Sequence, residues 1–128
     1  MIKNMIMLIQ PYLPLKILDV SWDGTLFHMY GSTWSVSTLS AWRICISNKM
    51  VLGCFDKNSL ELVNCLKNLE IVTLTFQDSL MKIDPVFILS NGQRFEIFST
   101  DTFEPWTFFH DDLGAFIPTP TDPKAFNI

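Results

Sequence analysis

The sequence predicts an α+β domain: a mostly antiparallel sheet of seven to nine short strands, in a meander and hairpins, with one packed α-helix. Short runs of alternating apolar and polar residues recur between turn signals, which predicts strands. The 128 residues include eleven Phe and four Trp, side chains that suit a pleated, half-buried surface. Only residues 58–69 show convincing helical spacing.

Residues 15–55 predict a three-strand meander followed by a hairpin. Asp23-Gly24 is a favoured two-residue turn between strands at 15–22 and 25–30. Gly31-Ser32 predicts a second tight turn, after which residues 33–39 alternate, with tryptophan and valine on one face and serines on the other. Residues 41–47 and 51–55 predict a further hairpin across a polar break.

The predicted helix has a start signal and one apolar stripe. Asn58 stands at the N-cap position, and Glu61 follows three residues later in a capping-box position. Leucines at 62, 66 and 69 share a face that Val63 widens. A single apolar stripe indicates that one side of the helix packs on a sheet.

The C-terminal half predicts further strands. Residues 71–76 alternate, and Asn91-Gly92 between residues 83–90 and 93–98 is the strongest hairpin signal in the chain. A two-residue loop there places Ile88 opposite Phe95 and Val86 opposite Ile97, on one apolar face. Pro85 lacks an N–H, which predicts an edge position or a bulge. Residues 106–109 predict a last short strand, which completes a single domain at 1–117 before a Pro-rich tail at 118–128.

Charge and hydropathy narrow the class of protein. The net charge is −4, and it is uneven: residues 1–94 hold eight Lys/Arg against seven Asp/Glu, whereas residues 95–128 hold one Lys against six Asp/Glu. The sequence therefore lacks the clusters of Lys and Arg that bind the phosphates of nucleic acids, and we expect a basic protein partner instead. The longest apolar runs are too short for a membrane span or a signal-peptide core, so we expect a cytoplasmic protein.

Catalytic and metal motifs are missing from the sequence. It contains no glycine-rich phosphate loop, no GxSxG and no HExxH, so we expect neither an enzyme nor a cofactor. The three cysteines (Cys45, Cys54 and Cys65) include no CxxC pair, and neither histidine stands at ligand spacing from one, which argues against a metal site. We interpret them as buried thiols, although Cys45 and Cys54 could face each other across a hairpin.

A few polar residues admit both a structural and a chemical interpretation. His28 with Cys45 or Cys54 could form a nucleophile pair, but cysteines on apolar strands are usually core. The sequence His110-Asp111-Asp112 could be a metal or acid–base site, but adjacent residues of an extended segment point apart. Arg43, mid-strand among apolar residues, needs a carboxylate, with Asp56, Asp84 and Glu96 as the candidates.

The segment from Phe95 to Asp122 combines acid with aromatics. It holds six Asp/Glu and seven Phe/Trp and no Lys or Arg. Such a surface suits a basic partner, although core aromatics beside solvated acids would give the same composition. The predicted partner-binding residues are those where the acids and large aromatics leave regular structure: Asp101, Glu104, Trp106, Phe109, Asp111 and Asp112.

Several of these elements occur together in one group of proteins. The chain has Trp42-Arg43-Ile44, the helix, Asp84-Pro85-Val86, Asn91-Gly92 and Phe95-Glu96-Ile97-Phe98 with a nearby Trp106. This pattern resembles small uncharacterised bacterial proteins, some of which look like immunity proteins of contact-dependent or polymorphic toxin systems. The resemblance covers residues 40–112 and implies a fold and a binding role, with no site residues carried over.

The predicted function is therefore binding of a protein partner. The resemblance implies an immunity protein that neutralises a cognate bacterial toxin, for example a nuclease with a basic active site. A phage or host regulatory interaction module and a small-molecule-binding domain with a pocket around His28 and Arg43 are the alternatives.

Overall fold

The computed structural model describes residues 2–77, 84–100 and 105–118, and folds them into two antiparallel sheets that face each other. The strands are β1 (Leu15–Lys16), β2 (Asp19–Trp22), β3 (Phe27–Tyr30), β4 (Trp34–Thr38), β5 (Ala41–Ile46), β6 (Lys49–Gly53), β7 (Glu70–Phe76), β8 (Pro85–Leu89), β9 (Arg94–Phe98), β10 (Thr107–His110) and β11 (Gly114–Phe116). The six-stranded sheet has the order β1-β7-β8-β9-β5-β6, and the five-stranded sheet has the order β11-β10-β4-β3-β2.

The broad α+β prediction is confirmed, and its finer description is corrected. The described residues form two sheets and eleven strands, and they include two short helices, α1 (Ile2–Ile9) and α2 (Ser59–Leu62). A 3₁₀ turn follows each helix, at Gln10–Tyr12 and Val63–Leu66. The sequence prediction missed α1, whose buried residues Ile2, Met5 and Ile9 join the core.

The core lies between the two sheets and is rich in aromatic rings. Phe27 of the five-stranded sheet stacks on Phe95 of the six-stranded sheet, with ring centroids 4.6 Å apart. Trp22 meets Trp42 edge to face at 5.2 Å. Alternation along each strand sends these rings inward and sends the intervening residues to the outer faces, where a functional surface can form.

The Asn91-Gly92 hairpin exists, but its predicted register is wrong by one residue. Phe87 lies opposite Phe95, where the two-residue loop required Ile88. The amide of Leu89 donates to the carbonyl of Gln93 at 2.8 Å, so the loop has three residues, and Gly92 takes the positive φ (+87°) that its last position needs. A one-residue slip exchanges the two faces of a strand.

That exchange decides which residues line the core. Phe87 takes the inward position predicted for Val86 and Ile88 and is fully buried with Phe95 and Ile97, while Glu96 lies on the outer face in either register. β8 is an interior strand, so the predicted edge position of Pro85 is wrong. Proline is tolerated there because it is the first residue of the strand.

The predicted Asp23-Gly24 turn is also longer than expected. Trp22 pairs with Phe27, which leaves residues 23–26 in the loop. The carboxylate of Asp23 accepts the amides of Thr25 and Leu26, both at 2.8 Å, and this closes the loop.

The predicted helix at 58–69 is shorter than its apolar stripe suggested. Asn58 lies in the left-handed region (φ 67°) and its side chain makes no capping bond, so the capping-box expectation is wrong. The four-residue α2 passes into a 3₁₀ turn, whose three-residue period brings Val63 and Leu66 into the core together. Leu62 is consequently left half exposed (52%).

Candidate protein-binding surface

The outer face of the five-stranded sheet is an open surface of small hydroxyls bordered by aromatics. Strand pairing aligns its side chains in two rows across β10, β4, β3 and β2. One row is Phe109, Ser35, Tyr30 and Asp19, and the next is Thr107, Ser37, His28 and Ser21. We call these eight residues the hydroxyl face.

The centre of the hydroxyl face is low and its sides are aromatic. Ser35 and Ser37 on β4 are small, whereas Phe109 and Tyr30, on the flanking strands, are 41% and 39% exposed. Aromatic anchors beside adaptable hydroxyls are typical of surfaces that bind proteins, because rigid rings lose little conformational entropy on contact.

His28 is held in place on this face. Its Nδ1 lies 2.7 Å from the Ser37 hydroxyl, and its ring centroid is 5.4 Å from that of Tyr30. His28 is therefore half-buried and hydrogen-bonded, and the contacts that hold it are structural.

Asp111 and Asp112 form an acidic end at the β10–β11 turn. Both are exposed. The backbone amide of Asp111 donates to the carbonyl of Thr33 at 2.8 Å, which ties the turn to the β3–β4 connection. The amide of Asp112 donates to Nδ1 of His110 at 3.1 Å. The two carboxylates therefore stand on a fixed backbone next to Phe109.

His110 supports the turn from beneath. The residue is 2% exposed, and because its Nδ1 accepts a backbone N–H, that nitrogen carries no proton. The ring of Tyr12 packs on it, with centroids 4.2 Å apart. The role of His110 in the folded protein is to shape the turn.

Tyr12 connects the N-terminal segment to the acidic end. Partial desolvation raises the pKa of the Tyr12 phenol, and the charge of Asp112 and a hydrogen bond to its side chain raise it further. The phenol remains the protonated donor at neutral pH, so Tyr12 adds a third exposed aromatic beside the carboxylates.

Negative charge at this end has no internal counterion among the described residues. The three ion pairs of those residues leave Asp111 and Asp112 unmatched by any Lys or Arg. At the other side of the hydroxyl face, Lys67 lies 3.0 Å from Asp19. The hydrogen bond from Lys67, followed by that from the amide of Val20, lowers the pKa of Asp19. The negative charge of Asp19 at β2 is therefore paired with Lys67, whereas the negative charge at the β10–β11 turn is not paired with a Lys or Arg among the described residues.

The predicted contact residues separate into three groups. Phe109, Asp111 and Asp112 lie together on the surface. Trp106 is fully buried in the core (0% exposed), so its side chain is not available to a docked partner and it leaves the candidate surface. Asp101 and Glu104 lie outside the described residues, as does all of the predicted tail except Pro118.

The sequence interpretation missed Tyr12, Tyr30 and the serine row. The alternation of residues 33–39 already placed serines opposite the tryptophan and valine, so the hydroxyl face could have been inferred from it. Tyr12 could not, because it reaches the β10–β11 turn only through a contact between residues far apart in the chain.

A second charged cluster lies on the outer face of the six-stranded sheet. Nε of Arg43 donates to the Glu96 carboxylate at 2.7 Å, which confirms the predicted pair and selects Glu96 from the three candidates. The Glu96 side chain is 9% exposed, and Nε of Arg94 approaches it at 3.8 Å. The hydrogen bond to Glu96 raises the pKa of Arg43, so the guanidinium stays charged. The Arg43 guanidinium also lies 4.6 Å above the Phe98 ring.

The geometry excludes a pocket shared by His28 and Arg43. His28 is on the outer face of one sheet and Arg43 is on the outer face of the other, with the core between them. A shallow groove of about 330 Å³ does lie next to Arg94 and Glu96.

The described cysteines, metal-ligand residues and helices add no further site. All three cysteines are free thiols; Cys45 and Cys54 are buried as expected, whereas Cys65 is exposed. Within residues 2–77, 84–100 and 105–118, no group of three His, Cys, Asp or Glu side chains could hold a metal ion. The same residues contain no helix with the length and apolar character needed to cross a membrane.

Comparisons with protein-family models, curated proteins and solved structures found no match to this chain.

Proposed function

We propose that this protein binds and neutralises a basic partner protein, and that the partner is a bacterial toxin domain. The observation that carries the proposal is the pairing of exposed aromatics with uncompensated carboxylates at the β10–β11 turn. Phe109 and Tyr12 supply apolar contact area there, and Asp111 and Asp112 supply the charge.

The chemistry of this end suits rapid and durable inhibition. Carboxylates steer a positively charged partner during diffusion, and aromatic anchors slow its release once they are desolvated. The net charge of −4 adds a long-range attraction for a positively charged partner. A nuclease fits the partner's side of this interface, since a site that binds phosphates is lined by Lys and Arg. The immunity-protein role is supported by the resemblance of residues 40–112.

The experiment is a binding measurement against toxin domains encoded beside this gene, with alanine or amide variants. Phe109→Ala removes an aromatic anchor, and Asp111→Asn with Asp112→Asn removes the charge without changing side-chain size. Glu61→Gln, on the exposed side of α2, is the control for loss of negative charge away from the acidic end. We expect the acidic-end variants to slow association or speed release, and Glu61→Gln to do neither.

The proposal is contradicted if a cognate toxin binds the variant that combines Phe109→Ala, Asp111→Asn and Asp112→Asn with unchanged association and dissociation rate constants. It is also contradicted if the association rate does not respond to salt, because steering between exposed charges weakens as ionic strength rises. A regulatory interaction module would use the same surface with a different partner, and the activity of the bound protein distinguishes the two.

A further inference from the structure

A trough runs along β4 on the hydroxyl face, and its floor carries an unengaged hydroxyl at Ser35. In the strand register Ser35 lies between Phe109 on β10 and Tyr30 on β3. The next floor residue, Ser37, is bonded to His28, whereas the Ser35 hydroxyl makes no hydrogen bond among the described residues. We call the space above Ser35, between the Phe109 and Tyr30 side chains, the ring slot.

The width of the ring slot suits a single side chain. Neighbouring strands are about 4.8 Å apart, so Phe109 and Tyr30 rise from lines roughly 9.6 Å apart. A group seated midway is about 4.8 Å from each line, within the range of about 6 Å over which an aromatic face attracts a cation. An α-helix, about 10 Å wide with its side chains, does not enter. The His28 ring, 5.4 Å from the Tyr30 ring, supports one wall of the slot.

A carboxylate stands at one end of the ring slot. Strand pairing continues one residue past β10, because the amide of Asp111 donates to the carbonyl of Thr33 at 2.8 Å. Alternation therefore places Asp111 on the same face as Phe109, one row further along the trough. Successive rows on one face are two residues, or about 6.8 Å, apart. Among the described residues Asp111 has no Lys or Arg partner, so its charge is available to a ligand in the slot.

We propose that the ring slot binds an arginine side chain of the basic partner, with one edge of the guanidinium toward Asp111 and the other toward Ser35. The inference rests on the proposed function, because it names the residue type that the basic partner supplies. The two aromatic walls attract the charged plane of the guanidinium, and the hydroxyl and the carboxylate accept its N–H groups.

Geometry favours arginine over lysine. The N–H groups of a guanidinium lie on opposite edges of a plane, so bonds of about 2.8 Å at each edge span the roughly 6.8 Å between the rows of Asp111 and Ser35. An ammonium has one nitrogen, whose two bonds span less than about 5.6 Å, and it presents no plane to stack on a ring. Lysine therefore reaches Asp111 or Ser35 but does not bridge them.

A second copy of this chain does not supply the arginine. Its two arginines are Arg43 and Arg94. Arg43 donates to Glu96 at 2.7 Å, and Arg94 lies 3.8 Å from the same carboxylate and donates to the carbonyl of Ser47. Both guanidiniums are engaged within their own sheet, so the arginine comes from a different protein.

Two peptides of equal length and charge, one of alternating Gly and Arg and one of alternating Gly and Lys, test the proposal on the full chain. Each is titrated into isotopically labelled protein, and backbone amide shifts report the affinity and the place of binding. We expect the arginine peptide to bind at least about threefold more tightly, as contact of a cation with exposed rings implies. The largest shifts should lie at Ser35, Phe109 and Asp111.

Substitutions in the slot should remove the preference for arginine. Tyr30→Leu takes away one wall, and Ser35→Leu fills the floor; both positions are on the outer face, so the core is untouched. Phe55→Leu is the control, because Phe55 is an 84% exposed aromatic outside the hydroxyl face, and it should keep the preference. Circular dichroism and thermal unfolding verify that each variant is folded.

Equal binding of the two peptides overturns the ring slot, as does failure of both to bind or a preference that survives in Tyr30→Leu and Ser35→Leu. Failure of the proposed function gives a different pattern. If no basic toxin binds but the preference follows the slot variants, the slot stands and the toxin is the wrong partner. If a cognate toxin depends on Asp111 and Asp112 while the peptides bind equally, the toxin proposal stands and the slot is wrong.

Discussion

Glu96→Gln tests the structural role of the charged cluster on the six-stranded sheet. The carboxylate is 9% exposed and accepts a 2.7 Å bond from Arg43, with Arg94 at 3.8 Å. A hydrogen bond to a charged group contributes roughly 1.5–3 kcal/mol. The Arg43 side chain is 40% exposed, so water replaces part of the lost interaction. We therefore expect the free energy of unfolding to fall by about 1–2 kcal/mol.

Urea unfolding followed by tryptophan fluorescence measures this change as a lower midpoint at an unchanged slope. For a chain of this size, thermal unfolding should shift downward by about 3–5 °C per kcal/mol. Glu61→Gln, an exposed carboxylate on α2, should remain within about 0.5 kcal/mol of the wild type. A Glu96→Gln protein no less stable than the Glu61→Gln control would refute the assigned role. Coupling to Arg43→Met in a double-mutant cycle should then be close to zero as well.

Three further predictions concern the loops, the core and the thiols. Hydrogen bonds from the amides of Leu26 and Thr25 lower the pKa of Asp23, so its carboxylate stabilises the fold above the unfolded-state pKa and stops doing so as pH falls through the lower folded-state pKa. The stability advantage of the wild type over Asp23→Asn should therefore shrink when unfolding is measured at increasingly acid pH. A difference that stays constant with pH would contradict this. Trp106→Ala should lower the free energy of unfolding in urea by about 3–5 kcal/mol because it leaves a core cavity, while Phe109→Ala should lower it by less than about 1 kcal/mol. Equal losses would contradict the assignment of Trp106 to the core and Phe109 to the surface. A thiol reagent should label only Cys65 in the native protein and all three cysteines in denaturant. Native labelling of Cys65 should be slow, because desolvation raises the pKa of its thiol. Labelling of a second cysteine in the native protein would contradict the described core.

Most strand positions were predictable, because the alternation of apolar and polar residues is present in the sequence whichever strand lies alongside. The serine and tryptophan alternation of β4 is an example. Residues 15–22, predicted as one strand, instead form β1 and β2 in different sheets. Register was not predictable from Asn91-Gly92 alone, because the turn takes Ser90 as a third loop residue. That one residue decides whether Phe87 or its neighbours Val86 and Ile88 share the core face with Phe95.

The helices were harder for different reasons. The spacing of Ile2, Met5 and Ile9 suits one helical face, but the segment is short and its burial depends on contacts with β7. The helix predicted at 58–69 begins near Asn58, yet packing of Val63 and Leu66 selects a 3₁₀ turn over further α-helix. Tertiary contacts outweigh local propensity in both cases.

The candidate surface was partly predictable from composition. Acidic charge and aromatics indicated the region, and Phe109, Asp111 and Asp112 do lie together on the surface. Composition could not separate Trp106 from Phe109, because both are large aromatics in one short segment and only the fold decides which is buried.

The proposed function assigns a basic protein partner to the acidic end at the β10–β11 turn. Its most direct test is the association rate constant of the Asp111→Asn, Asp112→Asn double variant with a cognate toxin domain, measured at low and high salt. We expect a slower association rate for the double variant at low salt and convergence with the wild type at high salt, as electrostatic steering requires. Equal rates for the two proteins at both salt concentrations would contradict it.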